Sequence, residues 1–154
     1  MAHLDTLFNC KQYVGPETLA DLSFKAICNN LDIISTRGKD GHRTLIKGLV
    51  FPSEICDRLI EFAQKNDNVE VDDRFFHMFE DIITTRLRRV RIVNSTITDT
   101  SVATILRHQP THLSFTDCSL ITELAIEYIN NSSKNLVSLA FRACPRAIPV
   151  DLVC

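Results

Sequence analysis

The stretch LRRVRIVNSTI, residues 87–97, spaces its apolar residues in a way that recurs twice further along the chain. Its counterparts are PTHLSFTDCSL, residues 110–120, and LVSLAFRAC, residues 136–144. Self-similarity at a period of roughly 20 to 50 residues is the sequence signature of repeat architectures. The second half of the chain is therefore predicted to contain about three copies of one small structural unit.

Each copy keeps the frame L-x-x-L-x-L-x-x-(N/C) of leucine-rich repeats. In the first copy Val90 and Ile92 fill the fourth and sixth positions, and Ser95, Cys118 and Cys144 fill the ninth position of the three copies. Alternating side chains of a short strand point to one face, so positions four and six should face the core. The residue at position nine should bond the backbone where the chain turns. The predicted products are parallel strands connected by helices.

Two helices are predicted between these strands from their apolar spacing. The apolar positions are Val102, Ile105 and Leu106 in the first, and Ile121, Leu124, Ala125, Tyr128 and Ile129 in the second. The predicted fold class is α/β: an N-terminal helical region followed by a short cysteine-type leucine-rich-repeat solenoid with a parallel sheet. The predicted divisions are a lead at 1–15, a helical region at 16–80 and repeats at 81–154, the last repeat incomplete.

The segment TLADLSFKAI, residues 18–27, is predicted to show apolar side chains on two faces of a helix running from Pro16 to about Ile34. The first stripe consists of Leu19, Leu22, Ala26 and Ile33, and the second of Phe24, Ile27, Cys28, Leu31 and Ile34. A surface helix needs only one apolar stripe about 100° wide. Either the helix is sandwiched inside its own domain, or one stripe docks in the groove of a partner.

A second helix is predicted from Pro52 to Gln64, after a glycine-containing connection at residues 35–48 with a short extended piece near Thr44 to Ile46. Its expected buried stripe is Ile55, Leu59, Ile60, Phe62 and Ala63. Further on, Asp72 and Asp73 are expected to cap a short helix that carries three phenylalanines, Phe75, Phe76 and Phe79.

Composition narrows the possible functions. The 154 residues carry a net charge of −2, so the whole molecule has no field that would attract nucleic acid or an anionic membrane. We expect no membrane span, no metal site, no cofactor and no catalysis, and a location in the cytoplasm or nucleus. The six cysteines, at positions 10, 28, 56, 118, 144 and 154, form no CxxC pair and are predicted to be free thiols.

TLADLSFKAI resembles the elongin-binding box, whose pattern is Ser/Thr/Ala/Pro-Leu-x-x-x-Cys-x-x-x-aliphatic. The matching residues are Thr18, Leu19 and Ile27, while Ser23 stands where the box has cysteine. VFPSEICDRL, residues 50–59, resembles a cullin-2 box, with Phe51 and Pro52 at its selective positions. A box pair followed by cysteine-type repeats resembles the Zyg eleven and Zer one family of cullin-2 ubiquitin-ligase substrate receptors, and is nearer to Zer one.

This resemblance implies that the chain docks to elongin C, with elongin B, and to cullin-2. The implied elongin-binding residues are Thr18, Leu19, Leu22, Ser23 and Ile27, and the implied cullin-binding residues are Phe51, Pro52 and Ile55. The family presents proteins with N-terminal glycine or similar small-residue degrons for ubiquitination. It does so through a C-terminal armadillo-like domain that has no counterpart in these 154 residues.

Other interpretations stay open at this point. The chain could be a leucine-rich-repeat binding module without ligase association, or an inhibitory truncated paralogue that occupies elongin and cullin without delivering substrate. Arg86, Arg88, Arg89 and Arg91 could contact nucleic acid, although their placement on a repeat strand favours a solvated or partner-facing surface. His108 and His112 are four residues apart, but Pro110 between them would break a helix, which argues against a helical metal site.

Overall fold

The computed structural model describes residues 15–148 as a mixed α/β fold of five α-helices and five strands, which confirms the predicted class. The helices are α1 Leu19–Asn29, α2 Ser53–Gln64, α3 Asp73–Phe76, α4 Asp99–Arg107 and α5 Glu123–Ser132. The strands are β1 Ser35–Arg37, β2 Arg43–Leu45, β3 Arg89–Val93, β4 His112–Thr116 and β5 Ser138–Arg142. Short 3-10 helices lie at Leu31–Ile33 and His77–Phe79. The predictions for Cys10, Cys154 and most of the 1–15 lead fall outside the described residues.

Helix α1 is shorter at both ends than the predicted span from Pro16 to Ile34. It begins after Thr18, because Thr18 and Asp21 form a capping box: the Asp21 amide donates to Thr18 Oγ1 at 3.1 Å and the Thr18 amide donates to Asp21 Oδ2 at 2.9 Å. The helix ends at Asn29, since Asn30 adopts a non-helical backbone with φ −146° and ψ 77°. Pro16 therefore precedes the helix.

Helix α2 begins one residue later than predicted, with Pro52 in the extended N-cap position. Helices α1 and α2 run side by side in the same direction: Asp21 near the start of α1 pairs with Arg58 in the middle of α2, and Asn29 at the end of α1 pairs with Asn66 just beyond α2. The antiparallel hairpin of β1 and β2 lies in the connection between them, where the sequence predicted mainly turns. The antiparallel partner of Arg43–Leu45 was not predicted.

Strands β3, β4 and β5 form a parallel sheet in that order, and their register matches the sequence frame. Val90, Leu113 and Leu139 form one row across the sheet, and Ile92, Phe115 and Phe141 form the next. Each row unites residues of one frame position. The spacing of 23 and then 26 residues therefore corresponds to real strand neighbours.

The residue after each strand adopts a left-handed backbone in all three units. These residues are Asn94, Asp117 and Ala143, with φ of 52°, 54° and 49°. Asn and Asp tolerate this region better than other residues with a Cβ atom, so the first two units suit their turn and Ala143 is strained. At the next position, Cys144 Sγ contacts the carbonyl of Phe115 in the preceding unit at 3.6 Å, and Cys118 Sγ lies 4.0 Å from the carbonyl of Ile92.

The free edge of β3 is covered by side chains of α2. Asp57 accepts the backbone N–H groups of Arg88 and Arg89 at 3.1 and 3.0 Å. Gln64 accepts from the Val93 amide at 2.7 Å and donates to the Arg91 carbonyl at 2.8 Å. One carboxylate and one amide thus satisfy edge groups that would otherwise be available to another strand.

Carboxylates also join successive units at the helix starts. Asp72 caps α3 through the Phe75 amide, as predicted, whereas Asp73 accepts from the Thr98 amide at 2.9 Å and from the Thr98 hydroxyl. Asp99 repeats this contact with the amide and hydroxyl of Thr122 in the next unit. The carboxylate of the first residue in one helix therefore accepts hydrogen bonds from the N-cap residue of the next helix.

Buried apolar residues form one cluster that runs from Phe24 to Ala147 through both halves of the described chain. Two residues assigned to the repeat units, Leu124 and Leu139, are more exposed than the sequence predicts, and Leu120 in the turn after Cys118 is also exposed. Ile121 is fully buried beside the exposed Leu120, because the turn after β4 is one residue longer than the turn after β3. Leu139 is exposed because β5 is the outer strand among the described residues.

Candidate functional site

Helix α1 has an apolar face that no described residue covers. Leu19 is 81% exposed and Leu22 is 50% exposed, and Ala26 one turn further on is also exposed. The opposite face is buried at Phe24 and Cys28. The described chain does not sandwich this helix, since only one of the two apolar stripes packs against the core.

Residues at the start of α1 are held in place by local hydrogen bonds. The capping box fixes Thr18, and its hydrogen bonds to Asp21 hold the pKa of that carboxyl below its ordinary value. Ser23 is exposed, and its hydroxyl donates to the Leu19 carbonyl at 2.8 Å. Thr18, Leu19, Leu22 and Ser23 therefore belong to one exposed, rigid surface.

Ile27 does not belong to that surface. It is half-buried and packs against the hydrophobic core next to Phe24 and Cys28. The arrangement follows from helix geometry, because Ile27 lies three residues after Phe24 and one before Cys28, on the core side. The structure thus separates Ile27 from the other four residues assigned to elongin binding.

Helix α1 is attached firmly to α2 beneath its free face. The Phe24 and Phe62 rings stack with centroids 5.4 Å apart, and the Arg58 guanidinium lies 4.8 Å above the Phe24 ring. Arg58 also pairs with Asp21, with Nη2 and Oδ1 2.6 Å apart. A partner that binds Leu19 would therefore meet a helix whose position is already set.

The three residues assigned to cullin binding lie at the start of α2 but differ in exposure. Pro52 is exposed, whereas Phe51 and Ile55 are half-buried and pack against the core. The Phe51 amide donates to the Thr84 carbonyl at 2.7 Å, and Phe51 forms an isolated parallel bridge with Thr85. Phe51 therefore attaches the start of α2 to Thr84 and Thr85 and leaves part of its side chain exposed.

That bridge places further exposed apolar residues near the residues assigned to cullin binding, which sequence reasoning missed. Val50 precedes Phe51 and is 66% exposed. Ile83 precedes Thr84, whose carbonyl accepts from the Phe51 amide, and is 86% exposed. Ile82 is 43% exposed. The adjacent isoleucines in DIITT were a signal, but their proximity to Phe51 depends on a contact between segments more than 30 residues apart.

Titratable groups do not indicate chemistry in the described region. Burial raises the pKa of the Cys28, Cys56 and Cys118 thiols to about 11, so these thiols are protonated at neutral pH and poor nucleophiles. Within residues 15–148, no group of three or more His, Cys, Asp or Glu residues is placed to hold a metal ion. No helix in this region is both long and apolar enough to cross a membrane.

The sequence is similar to zer-1 homologs from insects and mammals. It is 40% identical to the protein zer-1 homolog of Drosophila melanogaster over 107 residues, which cover 70% of this chain and 13% of that protein. Over the part that it spans, the chain is related to the Zer-1 homologs.

The mammalian Zer-1 homologs match over a longer segment. The Homo sapiens homolog is 31% identical and the Mus musculus homolog 28% identical over 137 residues, which cover 84% of this chain. The chain spans less than a fifth of the length of these relatives, with 18% and 17% covered. No protein-family model and no solved structure matches the chain.

Proposed function

We propose that this chain is the ligase-docking part of a substrate receptor of a cullin-2 ubiquitin ligase. It binds elongin C, in complex with elongin B, through the free face of α1, and binds cullin-2 through the start of α2. The chain performs no catalysis in this account and serves to position a protein substrate. The observation that carries the proposal is an apolar helix face, 81% exposed at Leu19, on a helix fixed in place by its other face.

The exposed face has the size and chemistry of a helix that docks in an apolar groove. Leu19, Leu22 and Ala26 follow the spacing i, i+3 and i+7 on one side of α1. Burying one leucine in a partner contributes roughly 1.5 to 3 kcal/mol, which makes Leu19 the natural anchor. The Ile27 position of the elongin box acts differently in this proposal: it holds the helix to the core.

Ser23 is compatible with docking because its hydroxyl is already satisfied. Burying a hydroxyl without a partner costs about 1 to 3 kcal/mol. The Ser23 hydroxyl bonds the Leu19 carbonyl one turn earlier, so it can enter an apolar pocket while keeping that bond. Serine in place of cysteine therefore weakens the interface only slightly.

The cullin-2 contact would centre on Pro52 and extend to the neighbouring exposed apolar residues. Val50 and Ile83 enlarge the apolar area beside the half-buried Phe51 and Ile55. The sheet of β3, β4 and β5 follows on from these docking elements as the start of a cysteine-type leucine-rich-repeat array. Its regular register supports this classification.

Co-purification of this chain with elongin B, elongin C and the N-terminal part of cullin-2 tests the proposal. The wild type should give a four-component complex, Leu19→Asp should lose elongin B and elongin C, and Pro52→Ala should lose cullin-2 while retaining elongin. Circular dichroism of each variant alone should match the wild type, since Leu19 and Pro52 are exposed. A wild-type chain that binds none of the three would favour an independent repeat module.

A further inference from the structure

The solvent-facing side of the parallel sheet carries arginines without acidic partners. Its outward positions are Arg89, Arg91 and Val93 on β3, His112, Ser114 and Thr116 on β4, and Ser138, Ala140 and Arg142 on β5. None of these nine residues is acidic. Among the salt bridges formed within residues 15–148, none involves Arg89, Arg91 or Arg142. The face, defined by these nine residues, is therefore locally basic on a chain of net charge −2.

We propose that this sheet face is a binding surface for an extended acidic polypeptide segment. Arg91 and Arg142 lie on the two outer strands and bracket the hydroxyl side chains of Ser114 and Thr116 on β4. Guanidinium groups at both ends and hydroxyl groups between them match carboxylates and the polar backbone of an extended chain. This surface is distinct from the α1 and α2 docking residues and does not depend on them.

The strand register sets the spacing of the acids that such a segment would carry. Arg91 pairs with Ser114 and Ser114 with Ala140, and Arg142 lies two residues further along β5. With strands about 4.8 Å apart and about 3.3 Å per residue, the two arginine Cα atoms are roughly 12 Å apart. An extended peptide covers that distance in about three to four residues. Carboxylates at that separation could engage both arginines.

The surroundings of the face favour a polypeptide over nucleic acid. Helix α2 lines a groove beside β3 and contributes Glu54, Asp57 and Glu61, which would repel a continuous phosphate backbone. The phenylalanines of the sheet, Phe115 and Phe141, lie on the inward rows, so among the nine outward residues only the half-buried His112 offers a ring on which a base could stack. A short segment with two carboxylates needs only Arg91 on the β3 side, because from there it crosses β4 to Arg142 and leads away from those carboxylates.

Fluorescence anisotropy with a labelled oligoglutamate peptide about ten residues long, enough to span the face, tests this proposal. We expect the wild type to bind it in a salt-dependent manner and the double variant Arg91→Gln, Arg142→Gln to bind at least about tenfold more weakly. The matched control is Arg37→Gln, Arg107→Gln, which removes the same charge from exposed arginines outside the face. The control should bind within about twofold of the wild type.

Three results would overturn the proposal. No binding of the peptide by the wild type would show that the face does not take acidic chains. An equal loss in the control variant would show that binding reflects overall charge. Tighter binding of a labelled oligothymidylate of the same length would assign the surface to nucleic acid.

Discussion

The Ser23 hydroxyl donates to the Leu19 carbonyl at 2.8 Å, which joins two exposed residues on the free face of α1. The bond lies within one helix turn, so it persists when a partner covers the face. Leu19 provides apolar area to this face, and Ser23 adds a small side chain whose polar group is already bonded. In the proposed elongin-binding box, this pair would account for a serine at the cysteine position.

Ser23→Cys should increase affinity for elongin B–elongin C by less than about tenfold. Cysteine is less polar than serine, but the Ser23 hydroxyl already donates a hydrogen bond within the helix, so its burial leaves no unsatisfied donor. The gain in binding free energy is therefore below about 1.4 kcal/mol. Titration calorimetry measures the difference, with Ser53→Cys as a control because Ser53 lies on α2 outside the docking face. A gain of a hundredfold would mean that the Ser23 hydroxyl is not satisfied in the complex.

Gln64→Ala should destabilise the fold by about 1 to 2 kcal/mol. The variant removes the acceptor for the Val93 amide and the donor to the Arg91 carbonyl, which leaves two groups of the sheet edge without protein partners. Urea unfolding measures the loss. Glu54→Ala, an exposed position on the same helix, should change stability by less than about 0.5 kcal/mol. Equal effects of the two substitutions would contradict a capping role for Gln64.

Ala143→Asn should stabilise the fold by up to about 1 kcal/mol. Ala143 has φ 49° in the turn after β5, and the matching residue after β3 is Asn94 with φ 52°. Alanine is disfavoured in this backbone region, and asparagine is tolerated there. Thermal unfolding should show a higher midpoint for Ala143→Asn. The control Ala140→Asn, at a strand position, should be neutral or destabilising; a lower midpoint for Ala143→Asn would contradict the shared turn geometry.

Stability should fall as the pH drops below the ordinary pKa of histidine. Burial lowers the pKa of His108 from 6.5 in the folded chain, and its Nε2 lies 2.6 Å from the Phe79 carbonyl. As the pH falls, the unfolded chain protonates this histidine before the folded chain does. The stability that the neutral ring contributes is therefore fully present above pH 6.5 and decreases as the pH falls from that value toward the lower pKa of the folded chain. Urea midpoints between about pH 7.5 and 5.5 measure this loss.

His108→Gln provides the comparison for that pH dependence. Glutamine can donate to the Phe79 carbonyl and does not titrate, so its urea midpoint should vary less over the same pH range. The difference between the two pH profiles belongs to His108. Identical pH profiles for wild type and variant would contradict the assignment.

Sequence periodicity predicted the parallel strands and their register because each frame position repeats a physical requirement. Val90 and Leu113 become neighbours, and Cys118 lies beside the carbonyl of Ile92. The sequence also divided α1 correctly into a buried side at Phe24 and an exposed side at Leu19. These features follow from local spacing, which a single chain displays directly.

Features that depend on distant segments were not predicted. Ile83 lies near Phe51 because Phe51 bridges Thr85, and Gln64 covers the edge of β3 through contacts nearly 30 residues away in the chain. The limits of α1 were missed for a local reason: the Thr18 capping box starts the helix later than Pro16 would. The hairpin of β1 and β2 was hidden because its strands are only three residues long.

Calorimetric titration of elongin B–elongin C into Leu19→Asp, compared with Val137→Asp, tests the central claim most directly. The two substitutions place the same charge at positions of similar exposure, 81% and 77%, and only Leu19 lies on the free face of α1. The account predicts that Val137→Asp binds like the wild type and that Leu19→Asp shows no measurable heat of binding. Wild-type affinity in Leu19→Asp would contradict docking through α1.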